Sequence, residues 1–167
     1  LDTFVVRKIV APFNEELAIG ALASGGVVMV DDETVRLLQV TRDQLEATIA
    51  RERAELERRE RAYRGDNPAP TLAGKTVILV DDGLATGSTM LAALHAVRAH
   101  HPADIVVAVP VAATEACALM RREGVACYCL ATPEPFFAVG AWYRDFSPTT
   151  DADVQLLLSQ TTAGRGP

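Results

Sequence analysis

Short apolar runs separated by glycine, proline and charged stretches organise the chain. Thr3 to Ile9 predicts a short strand, with Phe4-Val5-Val6 apolar and the basic pair Arg7-Lys8 near its end. Pro12 to Gly26 contains Gly20, Gly25 and Gly26 and predicts a turn-rich stretch. Val27 to Val30 predicts a second strand, closed by the polar turn Asp31-Asp32-Glu33. Thr41 is an N-cap candidate, and Gln44 stands three residues later as in a capping box. The helix it starts is expected to reach about Tyr63 and stop at Gly65 and Pro68. Its second half, Arg51 to Arg64, is almost all charge, with Glu55/Arg59, Glu57/Arg61 and Glu60/Arg64 at the favourable spacing of four. Its apolar stripe is thin: Leu45, Ile49, Leu56 and Tyr63. That pattern predicts a helix lying on the surface or projecting from it.

After Lys75 the periodicity changes. Thr76 to Val80 is an unbroken apolar strand, Asp81 to Ser88 a loop, and Thr89 to His101 an apolar-faced helix. Asp104 to Val111 predicts a strand, Thr114 to Glu123 a helix stopped by Gly124, and Val125 to Leu130 another strand. Strands apolar on both faces, alternating with helices, predict parallel strands covered by helices. Ala131 to Phe146 reads as irregular and aromatic, Asp151 to Leu158 as a short helix, and 161–167 as a loose tail.

Composition narrows the class. The chain of 167 residues fits one domain, expected over 1–160, and 49% hydrophobic residues suffice for a core. A net charge of -6 argues against nucleic acid or an anionic membrane surface as the main partner. No uncharged run reaches the roughly 18 residues a membrane helix requires. Cys117, Cys127 and Cys129 are odd in number and read as reduced, mostly buried thiols of a cytoplasmic protein. His95, His100 and His101 show no zinc-ligand spacing with them.

The informative stretch is Val77-Ile78-Leu79-Val80-Asp81-Asp82-Gly83-Leu84-Ala85-Thr86-Gly87-Ser88-Thr89. A buried parallel strand delivers its last residues to the carboxyl edge of the sheet, where open α/β sheets bind ligands. Two adjacent carboxylates there call for hydroxyl donors or a divalent cation. Ala85 to Thr89 are small, so their backbone N–H groups can approach an anion, and they lead into a helix N-terminus. The hydroxyls of Thr86, Ser88 and Thr89 add donors. One loop therefore offers acceptors for a polyol and donors for a phosphate, the polarity of a sugar phosphate. Ala73-Gly74-Lys75-Thr76 ends like a P-loop but precedes its strand and lacks the earlier glycine. Val27 to Asp32 mimics the strand and acid pair without the small-residue loop, so a hairpin turn is expected there. No G-x-G-x-x-G is present.

Val77 to Thr89 resembles the phosphoribosyl-diphosphate (PRPP) signature of type I phosphoribosyltransferases. Phe4 to Lys8, the helix Arg51 to Arg64 and the segments Thr132 to Phe136 and Trp142 to Phe146 resemble one bacterial branch of that family. The resemblance implies an α/β fold with a mostly parallel, helix-flanked sheet in flavodoxin-like order, an inserted charged helix and an aromatic C-terminal hood. It implies that Asp81 and Asp82 hold the ribose hydroxyls, directly or through Mg²⁺. Ala85, Thr86, Gly87, Ser88 and Thr89 would wrap the 5-phosphate, and Arg7 and Lys8 would face the diphosphate. Gly83 stands where the family often has a larger apolar residue, and Ser88 where glycine is common.

The implied reaction displaces diphosphate from ribose C1 by a ring nitrogen of a nucleobase-like acceptor. Mg²⁺ with Arg7 and Lys8 would stabilise the leaving group, while the acids and the phosphate loop position the sugar. Phe136, Phe137, Trp142 and Tyr143 are either an acceptor-stacking cluster or a loop packed on the core. Glu134 or Asp145 is a candidate partner for a base edge. The charged helix is a solvated surface helix, a hood over the diphosphate or, third, an RNA contact. The rival function is a non-catalytic PRPP or nucleotide sensor on the same fold, and a homodimer is expected in either case. In the family a strand with a glycine-containing diphosphate loop precedes the position of Leu1. No counterpart is found, so this chain is expected to bind PRPP weakly, to turn over poorly and to pair its exposed strand edge with a second chain.

Overall fold

The computed structural model describes residues 2–65 and 69–163. These form two compact units, one of residues up to 70 together with those from Thr149 onward, the other Thr71–Pro148.

The first unit is built on an antiparallel sheet of β1 (Val6–Ala11), β2 (Asn14–Ala23) and β3 (Val27–Val30), in that order. The strand β2 replaces the expected turn-rich stretch. Its inward residues Ile19 and Leu22 are fully buried, and tertiary pairing on both edges overrides the weak strand propensity of Gly20 and the alanines. The expected polar turn after β3 is a helix start: Asp31 caps α1 (Asp32–Leu37) by accepting from the Glu33 and Thr34 N–H groups at 3.1 and 3.0 Å. The expected mostly parallel sheet therefore holds only in the second unit.

Thr41 caps α2 (Arg42–Arg64) with the reciprocal bonds of a capping box, and Gly65 ends it. Pro68, the second expected stop, lies outside the described residues. The helix lies against β1 and β2, burying Thr48, Glu52 and Leu56 on a core of Val5, Ile9, Ile19 and Leu22. Of the expected pairs, Glu55–Arg59 closes at 2.8 Å and Glu60–Arg64 at 3.4 Å. Helix pairs at this spacing each contribute roughly 0.2–0.5 kcal/mol. Arg58 also reaches Glu55 at 2.7 Å and Asp151 at 3.1 Å. Asp151 opens α5 (Asp151–Ala163), which runs past the expected Leu158. The Tyr63 hydroxyl donates to Asp151 at 2.7 Å, so α5 docks on α2 through polar contacts. Of the expected tail, residues 161–163 belong to α5 and 164–167 lie outside the described residues.

The second unit is the parallel layer: β4 (Thr76–Val80), β5 (Gly83–Leu84), α3 (Ser88–Arg98), β6 (Asp104–Ala112), α4 (Thr114–Arg122) and β7 (Ala126–Ala131). β6 is central, with β4 and β5 along one edge and β7 along the other, all parallel. The sheet grows in one direction, so two right-handed crossovers place α3 and α4 on the same face. That face buries Leu79, Ile105, Val107, Val109 and Val111 against Leu94, Val97, Ala116 and Met120. The opposite face carries Ile78, Val80, Tyr128 and Leu130, all exposed, with Leu130 at 89%. The parallel strands carry helices as the sequence predicts, and both helices of this unit lie on one face. Gly124, at φ 74°, ends α4 as expected.

The cysteines correct a further expectation. Cys127 and Cys129, two apart on β7, share the helix-covered face, and α4 brings Cys117 over them. Cys117 and Cys129 are joined in a disulfide, and the Cys127 Sγ lies 4.0 Å from Cys117 and 3.7 Å from Cys129. Burial pushes the Cys127 thiol up, with the Arg121 charge working against it. No helix of the described residues is long and apolar enough to cross a membrane.

Candidate active site

Asp81 and Asp82 sit in a break in one edge of the parallel sheet. β4 pairs with β6 from Thr76↔Asp104 to Val80↔Ala108, and β5 resumes the same register at Gly83↔Val111. The two acids fill the gap opposite Val109 and Pro110. Pro110 has no N–H to give the ladder, which is a local reason for the break. Both acids are exposed. The Asp82 N–H donates to Asp81 Oδ1 at 3.0 Å. Partial desolvation of the Asp81 carboxyl raises its pKa above the ordinary value; that N–H works against the rise and the Asp82 charge adds to it.

The strand cannot continue past the acids with a larger residue. A Cβ on Gly83 would lie 2.7 Å from Val139 Cγ1 and 2.8 Å from the Val111 carbonyl oxygen. This is the physical reason for glycine where the family often carries an apolar side chain. Leu84 is buried and its carbonyl accepts from the Ala113 N–H at 2.8 Å, fixing the exit of the loop onto β6.

The loop then turns at Gly87, whose φ of 78° is left-handed. Gly87 is buried on α4: a Cβ there would stand 3.5 Å from Ala116 Cβ and 3.6 Å from Met120 Cε. It is the N-cap of α3 and has no side chain of its own to cap that helix. Thr86 Oγ1 lies 3.0 Å from Ser88 Oγ and accepts from the Ser88 N–H at 3.3 Å. Ala85, Thr86, Ser88 and Thr89 are exposed. The loop thus presents hydroxyls and a helix N-terminus on a buried glycine hinge, an arrangement suited to an anion.

The aromatic segment is tied to the acids. The Tyr143 hydroxyl donates to the Asp82 carbonyl at 2.6 Å, and Tyr143 packs on Phe146 with ring centroids 5.2 Å apart. A short 3-10 turn, Val139–Trp142, precedes it. Phe137 is 82% and Trp142 48% exposed, while Phe136 is half-buried. In the sequence Tyr143 has no role beyond the aromatic cluster; only the fold brings it to Asp82. Glu134 accepts from the Thr114 hydroxyl at 3.0 Å. Asp145 accepts from the Ser147 hydroxyl and N–H, which hold its carboxyl below the usual range.

Arg7 and Lys8 belong to β1 in the first unit. Arg7 donates through Nε and Nη2 to Glu52 Oε2 at 3.0 and 2.7 Å, and the Glu52 side chain is 9% exposed. Lys8 is exposed.

Comparison with known proteins places this architecture. A phosphoribosyl transferase domain model matches residues 4–136. Two Mycobacterium tuberculosis proteins, "Putative phosphoribosyl transferase Rv0571c" of strain H37Rv and its counterpart MT0597 of strain CDC 1551, are 38% identical over 160 residues. That match takes in 96% of this chain and 36% of each relative, so the chain spans about a third of their length. The crystal structure of TT1426 from Thermus thermophilus superposes with a TM-score of 0.78 at 40% identity, covering 95% of this chain and 75% of that one. A parallel helix-flanked sheet, a family match across most of the chain and relatives at this identity establish one conclusion: the chain belongs to the phosphoribosyl transferase domain family.

Proposed function

We propose that the protein transfers the 5-phosphoribosyl group of PRPP to a nucleobase-like heterocycle, releasing diphosphate. The observation that carries this reading is the interrupted sheet edge, where two exposed carboxylates are followed directly by a glycine-hinged loop and a helix N-terminus. Asp81 and Asp82 accept from the ribose hydroxyls. The backbone of Ala85 to Thr89, with the Thr86, Ser88 and Thr89 hydroxyls, holds the 5-phosphate. Arg7 and Lys8 are the proposed diphosphate contacts. In the transfer, the bond from C1 to diphosphate oxygen breaks, the bond from C1 to the acceptor ring nitrogen forms, and the ring N–H proton passes to the released diphosphate or to solvent.

Two adjacent exposed carboxylates beside hydroxyl oxygens make a hard-oxygen donor set that fits Mg²⁺, with Asp81 and Asp82 as its holders. Bound there, the ion would supply charge neutralisation for the sugar diphosphate. Phe136, Phe137 and Trp142 are the proposed acceptor-stacking residues, supported by the exposure of Phe137 and Trp142 and by the Tyr143 tie to Asp82. The family match across 4–136 supports residues 1–160 serving as one functional domain. A cytoplasmic location and a homodimer complete the proposal, the latter supported by the exposed apolar sheet face.

The test is diphosphate release by the protein from PRPP and Mg²⁺ across a panel of purines, pyrimidines and related heterocycles. Release with at least one acceptor is expected. PRPP binding with no release from any acceptor would favour the sensor reading instead.

A further inference from the structure

We propose that Cys117, Cys127 and Cys129 form a redox-gated site for one soft, thiophilic cation, Cu(I), held by three thiolates. The three Sγ atoms lie within 4.8 Å of one another. They come from two elements: Cys127 and Cys129 point to one face of β7, and Cys117, 1% exposed, descends from α4. Three sulfurs converging from a strand and a helix make an all-thiolate donor set, and such sets select soft ions. The same group contains no fourth ligand from histidine or carboxylate among the described residues. Structural zinc takes four protein ligands, so the donor count favours an ion content with three.

The disulfide is the closed state of the gate. With Cys117 and Cys129 joined, two of the three ligands are unavailable. A dithiol reductant opens it by giving two electrons and two protons to the Cys117–Cys129 bond while its own sulfurs close into a disulfide. Cu(I) then replaces the three thiol protons, which pass to solvent. The site neighbours the Gly87 loop, since Ala116, next to Cys117, is one of three α4 residues against Gly87. Its occupancy is independent of any transfer reaction and is tested without one.

The experiment counts thiols and ions on the intact chain. Thiol titration of the unfolded protein is expected to give one free thiol before dithiol treatment and three after it. Reduced protein, freed of the dithiol under anaerobic conditions, is then titrated against a coloured Cu(I) chelator. One Cu(I) per chain should be withdrawn by the reduced form and none by the oxidised form. Cys127→Ser should weaken that competition at least tenfold. Copper-edge X-ray absorption on the wild type should show three sulfur neighbours, a readout that stands even if the variant folds poorly. The proposal is overturned if the reduced wild type withdraws no more Cu(I) than a C117S/C127S/C129S variant. It is equally overturned if the edge spectrum shows fewer than three sulfurs, or if equimolar Zn²⁺ displaces the copper.

Discussion

The Tyr143 hydroxyl donates to the carbonyl oxygen of Asp82 at 2.6 Å, joining the aromatic segment to the backbone where it leaves the acid pair. The bond fixes Asp82 without consuming its carboxylate, which stays exposed for a ligand. Tyr143→Phe keeps the ring stacked on Phe146 and removes only this bond. A stability loss of about 0.5–1.5 kcal/mol is expected. On the proposed function, PRPP affinity falls with it, because the acid pair loses its brace. Denaturant melts and calorimetry on the same variant check both parts.

Gly83 makes a sharper steric prediction. A methyl group there meets the Val111 carbonyl oxygen and Val139 Cγ1 at 2.8 and 2.7 Å, and one of these is backbone. Gly83→Ala should destabilise the fold by roughly 1–3 kcal/mol, as overpacking does. A denaturation midpoint equal to wild type would show that β5 and the Val139 turn yield without cost.

Arg7 and Glu52 form a pair whose acid is almost fully buried. Arg51 Nε also reaches Glu52, at 3.2 Å, so Arg7→Met leaves the buried carboxylate with one cation in place of two and should cost roughly 1–3 kcal/mol. Adding Glu52→Gln should recover most of the loss, since the under-compensated buried charge is then gone. If Arg7 also contacts diphosphate, the double variant regains stability while PRPP affinity stays low. Full recovery of both would assign Arg7 to structure alone.

Acid should loosen α5 from α2. Arg58 first and Arg59 second pull the Glu55 carboxyl down to about 2 from 4.5, and Tyr63 and Arg58 hold Asp151 below its usual value. Asp151 is the acid that joins α5 to α2, and its folded-state value below the unfolded one means that this stabilisation is present above the usual aspartate range and is lost as pH falls through that range. Hydrogen exchange of the α5 amides should accelerate over that window. Arg58→Ala should produce the same acceleration at neutral pH, with a small global effect, as exposed pairs contribute roughly 0–1 kcal/mol.

The legible parts of the fold were those written locally. Thr41 with Gln44 announces α2, Gly65 and Gly124 end their helices, and the unbroken Thr76 to Val80 run is a strand because each residue favours it. The strand β2 was hidden, because its alanines and Gly20 carry little strand preference and pairing on two sides supplies the stabilisation. At α1, three acids in a row look like a turn, yet the first is a cap and the next two favour the positive end of a helix. Of the candidate site, the acid pair and the small-residue loop are readable, since strand, break and helix start are contiguous. Neither the Tyr143 bond, spanning 61 residues, nor the convergence of Cys117 on β7 leaves a mark in spacing.

Asp81, Asp82 and the Gly87 loop are proposed to grip one ligand, and a structure of crystals soaked with PRPP and Mg²⁺ tests this. The predicted result has the ribose hydroxyls on the two carboxylates and the 5-phosphate on the backbone N–H groups of Gly87, Ser88 and Thr89. A bound PRPP whose 5-phosphate sits away from that loop, with both acids facing bulk water, would contradict it.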